Sequence, residues 1–265
     1  QASRPAERLP VSDPSDELGR LGQAFNDLLE RLERALGQQR QFLADAAHEL
    51  RTPLARVLSQ LELAQRAGGS AVSQETLSSL RLDLERMALM LDELLQLARA
   101  DAGEPMNRPE RVLLDDLTHR AATAWRAAAE QRGVTLTFRA PDEELPVMAD
   151  PALFRRLIDT LLDNAVRYSS SGGSIEIAVE ARDGRAVVEV RDRGIGIPAD
   201  ERGGLFERFF RVDQARSRAT GGTGLGLAIV KHVAANHNGN IRLWSRPGTG
   251  STFTLSIPAY NEEVE

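Results

Sequence analysis

The run FLADAAHELRTPL, from Phe42 to Leu54, has the periodicity of a helix and yet carries a proline at position 53. Its apolar residues recur at steps of four, three and four, the spacing of a narrow helical stripe: Leu43, Ala47, Leu50 and Leu54. Beside this stripe lies His48, one of four histidines in the chain, and Glu49 follows it. Taken alone, His48 is most simply a solvated helix histidine, so its role must be judged from the rest of the chain.

The first part of the chain contains three apolar series with this spacing. The first runs from Leu18 to Leu32, the second from Leu43 to Ala64 and the third from Leu77 to Ala98. A stripe with two apolar residues per heptad is a coiled-coil seam, which one helix cannot bury alone. Because the glycine-containing run RAGGSAVSQ separates the last two series, the pattern predicts an antiparallel helical hairpin. Two copies of that hairpin would form a four-helix bundle.

The first and second series do not share one register. From Leu32 the apolar steps are 4, 7, 4 and 3 residues, ending at Leu50. Adjacent four-residue steps resemble stutters, which locally unwind a coiled coil. Two interpretations stay open: imprecise patterning, or a junction between two coaxial bundles whose packing can change.

The second part of the chain begins after the Gly- and Pro-containing run ADAGEPMNRPE, which predicts a linker. Beyond it, apolar periodicities of 3.6 and 2 alternate along the chain. Asp150-Pro151 is typical of a helix start, and Asp183-Gly184 of a tight hairpin turn. Helices are predicted at 114–132, 150–168 and 225–236, and strands at 134–138, 174–180, 185–192, 241–245 and 252–257. The pattern predicts an α/β layered domain.

Composition excludes several classes of protein. With 33 basic and 39 acidic residues the net charge is −6, which disfavours a general nucleic-acid binder. The chain has no cysteine, so disulfides and thiolate metal sites are excluded. No apolar run has the length of a membrane span and no signal peptide is visible. Since the first residue is Gln1, we expect a piece of a longer protein, in contact with a membrane only through upstream segments.

Two glycine-rich stretches lie in the second part, DRGIGIP (192–198) and GGTGLGLAIV (221–230). Glycines before a helix let backbone N–H groups approach phosphate at the positive helix end. The second stretch lacks the Lys-Ser/Thr pair of a P-loop and does not follow a strand, so it fits neither that motif nor a dinucleotide fingerprint. The two stretches together predict an anion site.

Polar residues on the helix before these stretches suit a nucleotide. Asn164, Arg167 and Tyr168 are spaced so that they share one helical face. An amide oxygen, a guanidinium and an aromatic ring could serve metal, phosphate and base, although such a trio is more often a solvated face. The phenylalanines of LFERFFRVD are either core residues or anchors of a loop, with Phe209 nearest the site.

Taken together, these motifs resemble those of one family. LLDNAVRYS, DRGIGIP, LFERFF, GGTGLGLAIV and GTGSTF have the order and spacing of the ATP-binding domain of sensor histidine kinases. FLADAAHELRTPL is similar to the phospho-acceptor box of the same family. SDELGRLGQAFNDLLERL, residues 15–32, resembles the second half of a HAMP signal-relay module. The resemblance covers nearly the whole chain.

The resemblance implies roles for the acceptor box. His48 takes the position that ATP phosphorylates, and neutral imidazole is nucleophilic near neutral pH. Glu49 would accept or orient the proton on the other ring nitrogen. Thr52, one turn further on, would help to place a water or the partner for dephosphorylation. Pro53 removes a helical hydrogen bond and is expected to bend the helix.

The resemblance also implies an ATP and Mg²⁺ site. Asn164 would coordinate Mg²⁺, Arg167 would meet phosphate, Tyr168 would pack by the adenine and Asp192 would accept its amino group. Further residues would shape the site: Gly194, Gly196, Phe209, Gly222, Gly224, Gly226 and Thr252. One position departs from the family pattern, because Thr160 stands where many members have a second asparagine, which puts the metal shell in question. His119, His232 and His237 match no motif position and are expected to be structural or on the surface.

The resulting expectation is a multi-domain protein-histidine kinase. Residues 1–37 would be a partial HAMP segment, 38–104 the dimerising all-α phosphotransfer hairpin, 105–111 a linker, 112–260 an α/β sandwich ATP-binding domain of the histidine-kinase, gyrase and chaperone type, and 261–265 a frayed tail. The chain would act as a homodimer, the cytoplasmic portion of an inner-membrane sensor, and pass phosphate from His48 to an aspartate of a response regulator. Dephosphorylation of that regulator is a second expected activity. The alternatives are an ATPase that uses water, or a nucleotide-binding signalling scaffold.

Overall fold

The structure is a computed structural model, and it describes residues 8–9, 16–66, 73–101, 109–212 and 222–260. The chain divides into two compact units, residues 1–84 and 85–265. The predicted helix-breaking run near Gly68 and Gly69, the tail 261–265 and most of the predicted linker lie outside the described residues.

The first unit is built from helices. Helix α1 spans Glu17–Arg66, and helix α2, Gln74–Asp101, begins in this unit. Arg56 of α1 pairs with Asp83 of α2 at 2.8 Å, and Gln60 Nε2 donates to Ser79 Oγ at 3.1 Å. Since the partner on α2 moves back along the chain as α1 advances, the helices are antiparallel. This confirms the predicted hairpin.

Helix α1 continues through Pro53 without interruption. Pro53 therefore does not break the helix, and the acceptor box forms part of one 50-residue helix. A helix of this length joins the segment resembling HAMP directly to the acceptor box, across the irregular register noted above.

The apolar stripe of α1 is only partly covered in the single chain. Phe42, Ala46 and Val57 are buried, whereas Leu43 and Leu54 of the predicted stripe are 61% and 46% exposed. The buried positions lie one residue before the predicted ones, with Val57 common to both. An exposed apolar stripe therefore remains along the hairpin.

The second unit contains an open sheet with helices on it. Its strands are β1 Glu110–Leu113, β2 Thr135–Arg139, β3 Pro146–Ala149, β4 Ser174–Arg182, β5 Arg185–Asp192, β6 Asn240–Arg246 and β7 Gly250–Pro258; its further helices are α3 Leu114–Gln131, α4 Pro151–Tyr168 and α5 Gly226–Asn236. The main sheet has the order β2-β4-β5-β7-β6, in which only β2 and β4 are parallel. This confirms the α/β sandwich.

A second, two-stranded sheet pairs β1 with β3. The sequence interpretation missed both strands. Glu110 and Arg111, which it assigned to the linker, are the first residues of β1 and pair with Ala149 and Met148. The ordered α/β unit thus begins at least two residues before the predicted boundary at 112.

The core lies between α4 and the inner face of the main sheet. The buried residues of α4 are Phe154, Leu157, Ile158, Leu161, Leu162, Ala165 and Val166. Alternate residues of β4 and β5, among them Ile175 and Val188, are fully buried below them. Each such side chain contributes roughly 1.5–3 kcal/mol on burial. The core therefore holds α4 firmly, and the opposite side of α4 is left to form a site.

Local signals determined several element ends. Asp150 caps α4 by accepting from the N–H groups of Ala152 and Leu153, as predicted. Asp183 and Gly184 both have positive φ, 52° and 70°, which is the backbone of a type I′ hairpin turn.

Within the described residues, no helix is long and apolar enough to span a bilayer.

Candidate nucleotide site and phospho-acceptor

A cavity of about 670 Å³ opens beside α4 in the second unit. Eight of the eleven residues proposed to bind nucleotide line it: Asn164, Arg167, Tyr168, Asp192, Gly196, Gly222, Gly224 and Gly226. They come from α4, the end of β5 and the glycine-rich start of α5, segments that are distant in sequence. Gly194, Phe209 and Thr252 do not line the cavity.

The polar face of α4 borders the cavity along three helical turns. Arg167 forms an ion pair with Asp163, one turn earlier, and its side chain is only 17% exposed. A Cβ placed on Gly222 would lie 3.3 Å from an Nη atom of Arg167. The glycine-rich stretch therefore passes close to the guanidinium, so that backbone and cation border the same space.

Thr160 occupies the position where the sequence departs from the family pattern. Its hydroxyl donates to the carbonyl of Arg156 at 2.9 Å, and its methyl faces Gly226, where a Cβ would come within 2.9 Å. With the hydroxyl proton engaged inside the helix, Thr160 presents only oxygen lone pairs to the cavity. It can accept a hydrogen bond from a water but cannot donate one.

Asp192 is a buried carboxylate that lines the cavity. Its Oδ1 accepts the N–H groups of Gly194 at 2.8 Å and Ser251 at 3.2 Å. Burial raises the pKa of Asp192 above its ordinary value, and the two backbone hydrogen bonds oppose that rise. Since Oδ1 is engaged by the backbone, Oδ2 is the oxygen left for a ligand.

The glycines after Asp192 let the chain pass close to its neighbours. Gly194 bridges to Ser169, and a Cβ on it would lie 2.3 Å from the carbonyl oxygen of Tyr168. Gly196 has φ 68°, and a Cβ on it would lie 2.0 Å from the carbonyl oxygen of Arg246. Gly194 therefore allows the chain to pack closely against Tyr168 without lining the cavity, whereas Gly196 lines it.

Thr252, which was expected to hydrogen-bond near the adenine, does not line the cavity. Neighbouring residues of a strand point to opposite faces, and in β7 it is Ser251 and Phe253 that line the cavity. Ser251 Oγ lies 3.0 Å from Ser245 Oγ, which in turn accepts the N–H of Ile197 at 2.8 Å. Ser251 is therefore the hydroxyl of β7 that borders the site.

Phe209, which was expected to lie nearest the site, does not line the cavity, whereas its neighbour Phe210 does. Phe209 has φ 60°, and its N–H donates to the carbonyl of Gly224 at 2.9 Å. This turn directs the ring of Phe210 into the cavity wall, against Gly204. The backbone N–H of Phe209 therefore helps to hold the glycine-rich stretch in place.

Three cavity residues come from helices that no nucleotide motif covers. Glu93 of α2 is 8% exposed and borders the cavity together with Leu89, one turn earlier. Trp125 of α3 also lines it, and its Nε1–H donates to Asp159 at 2.9 Å. No sequence signal identified Glu93, because the apolar stripe of α2 predicts a helix but not which way each polar side chain points.

The residues of the acceptor box lie on α1, in the first unit. His48 and Thr52 are exposed and occupy the same helical face, while Glu49 is half-buried. An exposed imidazole is accessible to a phosphoryl donor.

The remaining histidines have structural surroundings. His237 is buried, and its Nδ1 donates to the carbonyl of Val233 at 2.7 Å, while Nε2 accepts the N–H of Asp150 at 3.2 Å. His119 is exposed and its ring lies 5.1 Å from that of Phe138. His232 is half-buried on α5. None of the three lines the cavity.

Three family models match the chain in succession. They are the HAMP domain at residues 6–34, the His Kinase A (phospho-acceptor) domain at 38–103, and the histidine kinase-, DNA gyrase B- and HSP90-like ATPase at 149–261. They occur in the same order as the three motif groups recognised in the sequence, and each match contains its motif group.

Known proteins resemble the chain over most of its length. The sensor-like histidine kinase SenX3 of Mycolicibacterium smegmatis is 45% identical over 224 residues, 84% of this chain and 58% of that protein. The histidine kinase ShkA, solved in complex with AMPPNP, is 26% identical with a TM-score of 0.60, covering 84% of this chain and 46% of that one. ThkA, solved with the response regulator TrrA, shares the fold at 21% identity and a TM-score of 0.68, over 94% and 69%.

The chain spans a little over half the length of the curated relatives it matches. Within that span the HAMP, phospho-acceptor and ATPase matches occur together, and curated relatives that cover 84–93% of this chain are sensor histidine kinases. The chain therefore belongs to the sensor histidine kinases of two-component systems.

Proposed function

We propose that this chain is an ATP-dependent protein-histidine kinase that phosphorylates His48 and passes the phosphoryl group to an aspartate of a response regulator. The observation that carries the proposal is the cavity, which brings the buried carboxylate of Asp192, three arginines and a glycine-rich stretch together beside α4. A cavity of this volume is within the range of small-molecule sites.

The cavity residues divide by chemistry between adenine and phosphate. At one end, Asp192 offers Oδ2 to the adenine amino group, and Tyr168 and Ile195 provide apolar surface for the ring. At the other end, Arg167 and the backbone before α5 supply positive charge and N–H donors for phosphates. In this arrangement the adenine would lie at Asp192, and the phosphates would lie at Arg167 and the start of α5.

The donor set near the phosphates fits Mg²⁺ held mainly by the nucleotide. Mg²⁺ usually keeps several waters and takes few protein ligands beside phosphate oxygens. Asn164 would provide an oxygen, and Thr160 a lone pair for a bound water. Across those parts of the chain that the structure describes, His, Asp and Glu form no cluster of three or more suited to a metal. Bound with ATP, Mg²⁺ would neutralise charge that develops on the phosphate oxygens.

Phosphoryl transfer would use His48 as the nucleophile. An unprotonated ring nitrogen forms the N–P bond while the bond between the γ-phosphorus and the bridging oxygen breaks, and ADP leaves. Glu49 would orient or accept the proton on the other ring nitrogen. Thr52, on the face of His48, would place the water or partner in dephosphorylation of the regulator. These roles follow the acceptor box and the exposure of His48.

The partners are a second copy and a response regulator. The exposed stripe that contains Leu43 and Leu54 supports a homodimer in which two hairpins form a four-helix bundle. ThkA, which shares the fold, was solved with a response regulator. The match to a HAMP domain supports the cytoplasmic portion of a membrane-anchored sensor. We retain the limits 1–37, 38–104 and 112–260 for the three segments, with β1 extending the last to Glu110.

The proposal is tested with γ-labelled ATP and Mg²⁺ on the wild type, His48→Ala and the matched control His119→Ala. We expect label that is lost in acid and kept in base on the wild type and the control, and none on His48→Ala. Equal label on all three would show that another residue is the acceptor. Nucleotide binding without label would favour the scaffold, and phosphate release unchanged by His48→Ala would favour the ATPase.

A further inference from the structure

Glu93 of α2 belongs to none of the nucleotide motifs, and yet its side chain lines the nucleotide cavity. Glu93 is 8% exposed, a burial that an ionisable side chain reaches only with partners. It lies one helical turn from Leu89, and both side chains line the cavity. A helix of the phosphotransfer segment therefore contributes to the wall of the nucleotide site.

The groups that surround the carboxylate of Glu93 are of the kinds that bind a phosphate. Its carboxylate is hydrogen-bonded to Thr223 of the glycine-rich stretch, and Arg156 and Arg167 attract it. Arg156 Nη2 is itself buried and has no hydrogen-bond partner among the described residues. Cations, a hydroxyl and glycine backbone around an acidic group form an anion site.

The carboxylate is not fully satisfied in this position. Its Oε2 is buried and finds no hydrogen-bond partner within the described part of the chain. Asp163 repels it, and burial raises the pKa of Glu93. A buried acceptor without a partner carries a free-energy cost, so the contact is one that a better ligand can displace.

We propose that Glu93 makes an autoinhibitory contact. Its carboxylate occupies the position at which the terminal phosphates of ATP would bind, and it competes with ATP for Thr223 and the nearby arginines. The inference rests on the proposed ATP site and goes beyond it. ATP would carry negative charge into the same space, displace Glu93 and so release α2 from the glycine-rich stretch. Adenosine, which lacks phosphates, would leave Glu93 in place.

The test compares binding of Mg²⁺-AMPPNP and of adenosine by calorimetry. Glu93→Gln keeps the shape and the acceptor for Thr223 but removes the charge. Asp92→Asn is the matched control, because Asp92 is the exposed neighbour on the same helix and does not line the cavity. Even a water-screened like charge about 4 Å from a phosphate weakens binding about fivefold. We therefore expect Glu93→Gln to bind AMPPNP about fivefold tighter or more, with adenosine unchanged.

The possible results are distinct. Unchanged AMPPNP binding by Glu93→Gln would overturn the competition, and weaker binding would overturn it by making Glu93 a supporting group such as a metal ligand. An equal gain for adenosine would also overturn it, since the effect would not involve phosphate. Failure of the wild type to bind either compound would instead refute the proposed function. Should Glu93→Gln not fold, Glu93→Asp withdraws the carboxylate by one methylene and is expected to tighten AMPPNP binding in the same direction.

An optical measurement checks the displacement itself. The chain has two tryptophans, so a Trp244→Phe background leaves Trp125, which lines the cavity, as the only source of indole emission. AMPPNP is expected to shift this emission toward that of the unliganded Glu93→Gln protein, and adenosine to leave it in place. Identical shifts with both compounds would contradict the inference.

Discussion

Asp192→Asn separates recognition of adenine from stability of the fold. Oδ1 of Asp192 is held by the N–H groups of Gly194 and Ser251. An asparagine in this place would keep its oxygen on those two donors and turn its NH₂ group toward the ligand. The variant therefore presents a donor where the wild type presents an acceptor, and the adenine amino group would face another N–H.

The size of the effect follows from the kind of hydrogen bond lost. A hydrogen bond to a charged group contributes about 1.5–3 kcal/mol, which corresponds to about a 10- to 150-fold change in Kd. We expect ATP affinity to fall within this range. Inosine triphosphate carries an oxygen in place of the amino group, so the variant's NH₂ can donate to it while the wild-type carboxylate repels it.

The assay is calorimetric titration of both nucleotides into the wild type and the variant. The wild type should prefer ATP, and Asp192→Asn should lose or reverse that preference. Circular dichroism serves as the control for folding. A folded variant that still prefers ATP to inosine triphosphate by the wild-type ratio would refute the assignment of Asp192 to the adenine.

The same variant has a pH-dependent effect on stability. Because burial raises the pKa of Asp192, the folded chain holds this proton more tightly than the unfolded chain. Its contribution to stability therefore falls as the pH rises from the ordinary pKa through the raised one. We expect the Tm of nucleotide-free Asp192→Asn to equal or exceed that of the wild type at pH 7, and the gap to close toward about pH 4. A gap that widens in acid would contradict this sign.

Two further pairs of variants test the placement of residues at the cavity. Ser251→Ala should weaken ATP binding by about 0.5–1.5 kcal/mol, whereas Thr252→Ala, on the opposite face of β7, should leave the calorimetric Kd unchanged; the reverse order would restore the original assignment. Gly196→Ala should lower the free energy of unfolding by about 3 kcal/mol or more, because of its positive φ and the clash with a carbonyl. Gly203→Ala, with open space around the new methyl, should change the same denaturation midpoint little.

The elements that sequence patterns predicted best are those with strong local signals. The cap at Asp150 and the turn at Asp183 and Gly184 depend on residues within a few positions of one another. Strands β1 and β3 were missed because each is four residues long and they pair only with each other, across 32 residues of intervening chain. A strand of that length has too few residues for alternation to be visible.

Within the site, the motifs located the segments more accurately than the side chains. The sequence motifs pointed to Thr252 and Phe209, whereas the residues that line the cavity are their sequence neighbours Ser251 and Phe210. In β7 the reason is the alternation of strand faces, and at Phe209 it is the positive φ. Glu93 was not predictable at all, because an apolar stripe predicts a helix but not the direction of each polar side chain around it.

Helix α4 shows why the cavity can be rigid on one side and adaptable on the other. Its buried face forms the core, and its start is fixed twice, by the side chain of Asp150 and by the imidazole of His237 on the N–H of the same residue. Asn164 and Arg167 are therefore carried by a helix that cannot easily shift. The glycine-rich stretch opposite them is held by the backbone of Phe209 and the side chain of Glu93. Changes on the loop side should therefore alter nucleotide affinity at little cost in stability, whereas changes along α4 should affect both.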